Sequence, residues 1–235
     1  MSIIVLDPGH NSYGSDTGAQ GNGLKEQDIT LAICRELRPL LQYNGFAVFM
    51  TRDGDLVNGL SNGYSLVQSL QTRVDIAENA GADLFISVHV NADGGTGEEV
   101  LIYGTGGKAE QAANKILPYL VQAGSWYNRG VKVQDVMVLR ETSMPAILTE
   151  NGFIDSGGDS SRFKYTSFFH DLAVAHAKGI CAYFGIQYKE GVVKVAETTT
   201  DKDIYLSVRV LQSKSDAVIK QIVAMGYACK VLPLA

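Results

Sequence analysis

Two histidines in this sequence stand near the ends of apolar runs. His10 follows Ile3-Ile4-Val5-Leu6 in the stretch Asp7-Pro8-Gly9-His10. His89 closes Leu84-Phe85-Ile86-Ser87-Val88-His89. Both runs read as buried strands, so both imidazoles sit near strand carboxyl ends. Two such ends can be neighbours in a parallel sheet, where a shared ligand is geometrically natural. Glu26 is the candidate third member, at the start of a helix behind a Gly-rich loop. Two imidazoles and a carboxylate with an open fourth position form a catalytic zinc set, in which zinc lowers the pKa of its water to about 7 and polarises a carbonyl. The spacing allows the loop to double back on His10 but does not by itself show it. The plainer alternatives are ordinary loop histidines and a helix-start acid favoured by the helix dipole.

Glu150 directly follows the apolar run Ala146-Ile147-Leu148-Thr149. A buried acid needs a partner or a task. The task on offer is general base and then acid, because an amine leaves poorly as an anion and one carboxylate can carry the proton from water to nitrogen. The alternative is a structural acid paired with Arg73 or Arg140. His170 and His176 lie on the last helix, away from strand ends, and read as surface or packing residues.

The elements that must position these groups alternate. Strands are predicted at 2–6, 46–50, 84–90, 98–103, 136–139 and 146–150, and helices at 26–42, 67–80, 108–123 and 167–184. Pro39 should end or kink the first helix near residue 38. Residues 11–23 and 53–66 read as loops. This alternation predicts an α/β sandwich with a mainly parallel or mixed sheet, whose ligands sit beyond the strand carboxyl ends. Residues 189–202 read as a polar linker, and 203–235 as a small β-α-β unit too short to bury a good core alone.

Composition excludes several classes. Hydrophobic residues at 46% and charged ones at 19% argue against disorder. A net charge of -5 without a basic block argues against nucleic acid. No apolar run approaches the length of a membrane span. Cys34, Cys181 and Cys229 are too few and too far apart for a disulfide framework. The chain has no Gly-x-Ser-x-Gly elbow, Gly-x-Gly-x-x-Gly fingerprint, Walker A sequence or His-Glu-x-x-His helix.

Four segments resemble the zinc-dependent N-acetylmuramoyl-L-alanine amidases of the type 3 family. They are Ile4-Val5-Leu6-Asp7-Pro8-Gly9-His10 with Asp16-Thr17-Gly18-Ala19 and Gly23-Leu24-Lys25-Glu26; Thr51-Arg52 with Arg73; Ala82 through Ala92; and Val138-Leu139-Arg140 through Met144 to Ile154. The resemblance covers about residues 2–186 and implies a six-stranded α/β sandwich. It implies one zinc ion on His10, Glu26 and His89, with Glu150 as the catalytic glutamate. The implied substrate is peptidoglycan, cut at the amide between N-acetylmuramic acid and L-alanine. Asn11-Ser12-Tyr13-Gly14, Val90 and Asp155-Ser156-Gly157-Gly158-Asp159 depart from the family pattern, but no ligand is lost. The stretch between Arg52 and Arg73 lacks the regulatory helix of some cell-separation amidases, so the site reads as open, as in lysins.

The tail resembles part of a sporulation-related repeat domain, through Tyr205 to Val210 and Met225 to Val231. Domain boundaries are therefore expected at 1–188 for the amidase, 189–202 for the linker and 203–235 for a module that binds cell wall or makes a homodimer. The start of the sequence shows no signal peptide. It predicts an endolysin made in the cytoplasm and released by a holin or host lysis. A bacterial sporulation or autolytic amidase whose leader has been removed is the alternative.

Overall fold

The computed structural model describes residues 1–190. The linker expected at 189–202, apart from its first two residues, and the C-terminal unit expected at 203–235, with Cys229, lie outside the described residues. The elements are β1 (Ile3–Pro8), β2 (Gln20–Gly21), β3 (Leu24–Lys25), α1 (Glu26–Tyr43), β4 (Ala47–Met50), α2 (Leu66–Ala80), β5 (Leu84–Asn91), β6 (Glu98–Ile102), α3 (Lys108–Gly124), β7 (Asn128–Val133), α4 (Met137–Arg140), β8 (Ala146–Phe153), α5 (Gly157–Ser160) and α6 (Thr166–Tyr183).

Six strands form one sheet in the order β4-β1-β5-β8-β6-β7. β4, β1, β5 and β8 are mutually parallel, and β6 runs antiparallel to β8. The sandwich with a mixed, mainly parallel sheet is therefore observed. Strands β1, β5 and β8 are covered on both faces, which explains their unbroken apolar runs. On one face Val5, Phe85, Leu101 and Leu148 pack against Val74 and Ala77 of α2 and Val138 and Leu139 of α4. Helices α1, α3 and α6 pack together elsewhere on the sheet. Full burial of each Val, Leu or Phe among them contributes about 1.5–3 kcal/mol.

The parallel strands β1, β5 and β8 bring their carboxyl ends to one edge, where β6 begins. His10, His89 and Glu150 come to that edge through strand direction alone. Glu26 arrives by a different route: the β2–β3 hairpin, which begins in the expected 11–23 loop and ends just past it, folds back so that the Glu26 amide donates to the Ala19 carbonyl at 3.0 Å.

Two local expectations are corrected. Residues 136–139 do not form a strand; Met137–Arg140 is a helical turn, and β7 at Asn128–Val133 is the sixth strand. Val138 and Leu139 are adjacent and both buried against α2. A strand would send one of them to the opposite face. Pro39 does not end α1, which continues to Tyr43. Leu40 and Leu41 beyond it are buried and hold the last turn despite the lost backbone donor.

Candidate metal centre and active site

His10, Glu26 and His89 converge, with one donor atom from each lying within 4.8 Å of the others. His10 Nε2 faces Glu26 Oε2 at 3.2 Å, and His89 Nδ1 faces Glu26 Oε1 at 3.0 Å. The two imidazole rings meet edge to face at 4.8 Å. Glu26 also accepts from the amides of Ala19 at 2.9 Å and Val90 at 3.1 Å.

Each ring has its other nitrogen assigned. His10 Nδ1 lies 3.0 Å from Asp16 Oδ1, so the ring in its neutral form keeps the proton there and turns the Nε2 lone pair toward Glu26. Ser87 Oγ donates to Asp7 at 2.6 Å and therefore accepts from His89 Nε2 at 3.1 Å. The lone pair of His89 then sits on Nδ1, facing Glu26. Arg73 ties the two supports together, contacting Asp7 at 2.7 Å and Asp16 at 3.2 Å. Thr51 and Ser69 complete the coordination of the two aspartates at 2.6 Å each.

Packing leaves no room for change beside the rings. A Cβ on Gly9 would lie 2.5 Å from the His89 ring, and one on Gly18 would lie 2.9 Å from both Glu26 Oε2 and His10 Cδ2. His10 itself takes φ 63°, an uncommon left-handed conformation for a residue with a side chain.

The electrostatics favour a positive charge at the centre. Burial works against a charged His10, but hydrogen bonds to Asp16 and Glu26 outweigh it and raise its pKa to about 9. Burial would raise Glu26, yet its hydrogen bonds with His10 and His89 hold it far below the ordinary carboxyl range. Asp16 is lowered to about 2 against the burial effect, by His10, Arg73 and Ser69. A cation facing two imidazole lone pairs and an ionised carboxylate is therefore favoured. Nitrogen and oxygen donors of this kind suit zinc. The cluster is positioned to hold a single metal ion.

The sequence profile of the family described as N-acetylmuramoyl-L-alanine amidase matches residues 4–182. The chain belongs to this family. The amidase is 41% identical over 190 residues to a sporulation-specific N-acetylmuramoyl-L-alanine amidase of Bacillus subtilis, covering 80% of this chain and 70% of that protein. It is 37% identical over 198 residues to the endolysin of Bacillus phage SPP1, covering 80% and 68% respectively. The catalytic domain of CwlV, an N-acetylmuramoyl-L-alanine amidase from Bacillus (Paenibacillus) polymyxa var. colistinus, superposes with a TM-score of 0.70 at 28% identity. That match covers 80% of this chain and 100% of the CwlV domain. The protein is thus an enzyme acting on the peptidoglycan amide bond, with a His-Glu-His cluster consistent with zinc-dependent chemistry. Among the described residues of the amidase, no helix is long and apolar enough to cross a membrane.

Glu150 of the amidase pairs with His89 across parallel β5 and β8, and with Glu99 across antiparallel β6. Its Oε2 is enclosed and has no hydrogen-bond partner among the described residues. Burial, then the negative charges of Glu26 and Glu99, raise its pKa well above the usual range, with His10 opposing. The two arginines named as alternative partners are committed elsewhere. Arg73 pairs with Asp7 and Asp16, while Arg140 pairs with Glu141 at 2.7 Å and with Asp135.

His170 pairs with Glu36 at 3.1 Å. His176 is buried, with Nδ1 donating to the Leu172 carbonyl at 2.8 Å. Neither joins the cluster. Sequence reasoning missed the supporting roles of Asp7, Asp16, Ser69, Arg73 and Ser87. Ser87 alone carried a local signal, since it lies two residues before His89 and so on the same strand face.

Proposed function

We propose that His10, Glu26 and His89 hold the zinc ion of this amidase and that Glu150 is its general base and acid. The observation that carries the reading is the contrast between three convergent, partnered donors and, on the strand beside them, the half-buried Glu150, whose Oε2 is enclosed without a partner among the described residues. Zinc held by the three residues would supply a Lewis acid and lower the pKa of the attacking water. Asp16 and Ser87 keep the two imidazoles in the tautomers that point lone pairs inward. Glu150 takes a proton from the attacking water and passes it to the amide nitrogen as the carbon–nitrogen bond breaks. The products are the free lactyl carboxylate of the muramic acid and a stem peptide beginning with L-alanine. Burial and the neighbouring acids Glu26 and Glu99 raise Glu150 above the ordinary carboxyl range, which favours its holding the proton between the two transfers.

The test is release of L-alanine amino termini from purified cell walls. Chelator should abolish release and added zinc should restore it. Release that continues unchanged under exhaustive chelation contradicts the reading.

For the biological setting we favour cell lysis as an endolysin, supported by the SPP1 endolysin relative and the absence of a regulatory helix between Arg52 and Arg73. Its route to the wall would be a holin or host lysis. The higher identity to the sporulation-specific amidase favours a second reading, a sporulation or autolytic enzyme. Co-expression with a holin should lyse cells under the first reading and leave them intact under the second. We assign the amidase domain to 1–188, the linker to 189–202, and wall binding or homodimerisation to 203–235, on the sequence likeness given above.

A further inference from the structure

Strands β6 and β8 bury a second carboxyl group close to Glu150. Glu98 is 0% exposed, and neither of its carboxyl oxygens has a hydrogen-bond partner among the described residues. It lies directly opposite Asn151 across the antiparallel β6–β8 pair. Residues so opposed share a sheet face with Cβ atoms about 4.5–5.5 Å apart. From that position a rotation of the Glu98 side chain can bring its carboxyl within reach of the Asn151 amide. Asn151 Oδ1 is also buried and also without a partner among the described residues. Both groups are acceptors, so a direct hydrogen bond between them requires a proton. A protonated carboxyl has the one O–H donor required.

Asn151 is tied to the site by its other atom. Its Nδ2 donates to the His89 carbonyl at 3.0 Å, the Thr149 carbonyl at 3.3 Å and Thr149 Oγ1 at 3.1 Å. The β5–β8 register shifts here: His89 pairs with Glu150, and Asn91 with Phe153. β8 thus carries one extra residue, a bulge of the kind that re-aims neighbouring side chains. On the far side, His176 Nδ1 donates to Leu172, so Nε2 accepts from Thr149 Oγ1 at 3.1 Å. The chain from His176 through Thr149 to Asn151 Nδ2 is fully assigned, and Asn151 Oδ1 is its open end.

We propose that Glu98 is a positioning residue for the amidase reaction: as a neutral carboxylic acid it donates to Asn151 Oδ1 and so fixes the His89 carbonyl and the β8 bulge beside Glu150. The proposal rests on the reading of His89 as ligand and Glu150 as proton carrier. The surroundings keep the proton on Glu98. Burial, then the charges of Glu150, Glu99 and Asp159, hold it well above the ordinary range.

The test compares Glu98→Met and Glu98→Gln in the full chain, reading kcat and KM on purified walls, zinc affinity by chelator competition, and Tm. Methionine fills a similar volume, and replacing an unpartnered buried acid by an apolar side chain is neutral or stabilising to the fold. A purely structural Glu98 would therefore leave kcat and zinc affinity unchanged in Glu98→Met. The positioning role requires kcat or zinc affinity to fall on the order of 10-fold in Glu98→Met, with KM and Glu98→Gln staying within about twofold of wild type. Glutamine keeps an N–H donor for Asn151. Wild-type catalysis in Glu98→Met, or an equal loss in both variants, overturns the proposal.

Should Glu98→Met not fold, Glu98→Gln decides through the pH dependence of Tm. A carboxyl raised in the folded state makes stability fall as pH climbs above its unfolded value of about 4.3. Glu98→Gln should lose that part of the slope, and an unchanged slope overturns the proposal. Zinc binding that survives His89→Ala would remove the underlying ligand reading instead, and would leave the Glu98 slope in place.

Discussion

Glu26 and Glu150 are both enclosed carboxyl groups at the same sheet edge, and their two flanks treat them differently. On the β1–α1 flank, Glu26 accepts from two backbone amides and faces two imidazoles. Its charge is secured before any ligand arrives. On the β8–β6 flank, Glu150 Oε2 and both oxygens of Glu98 have no donors among the described residues. Burial and the neighbouring acids there favour the protonated form, with only His10 opposing at Glu150. The difference is between a carboxylate held ionised by its donors and carboxyls whose surroundings favour a bound proton, in keeping with the roles proposed for them. Residue type alone does not separate these roles; the supply of donors does.

The comparison can be broken from the ionised flank first. Glu26→Gln removes the central charge, and both zinc content and wall hydrolysis should fall to background. Full zinc content in that variant would show that the two imidazoles hold the ion alone. Arg73→Met leaves Asp7 and Asp16 buried without their cation, and chemical denaturation should report a loss of about 3–5 kcal/mol. A loss within error would mean that the hydroxyls of Thr51, Ser69 and Ser87 suffice.

The neutral chain on the other flank has a pH signature. Burial lowers His176 to about 4. Between pH 6.5 and about 4 the unfolded chain binds a proton that the folded chain refuses, so stability falls as pH falls, by about 3 kcal/mol across that window. His176→Gln should flatten that part of the profile, and an identical profile in the variant would place the acid sensitivity elsewhere. The smallest expected effect is steric. Gly9→Ala puts a methyl against the His89 ring, and kcat should drop on the order of 10-fold as the ligand is displaced. An unchanged kcat would show that the ring has freedom the packing does not suggest.

These contrasts also mark what the sequence could reveal. β1, β5 and β8 were legible because strands buried on both faces read as continuous apolar runs. His10, His89 and Glu150 were legible because polar residues ending such runs stand out. β7 was not, since an edge strand with half-exposed residues has no such run, and the apolar cluster Val136–Leu139 drew the strand assignment away from it. The Asp7–Arg73–Asp16 hub was hidden for a different reason. It joins β1, a loop and α2 across 57 to 66 positions of sequence, a coincidence no local period encodes. Glu98 was equally unreadable, because only the β6–β8 register places it against Asn151.

The most direct test of the account is zinc content and wall hydrolysis measured together on Glu150→Gln. The variant should hold one zinc per chain, as in the wild type, with kcat reduced by about 10²–10⁴-fold. Undiminished kcat, or loss of the zinc along with the activity, would contradict the assignment of proton transfer to Glu150 and of metal binding to His10, Glu26 and His89.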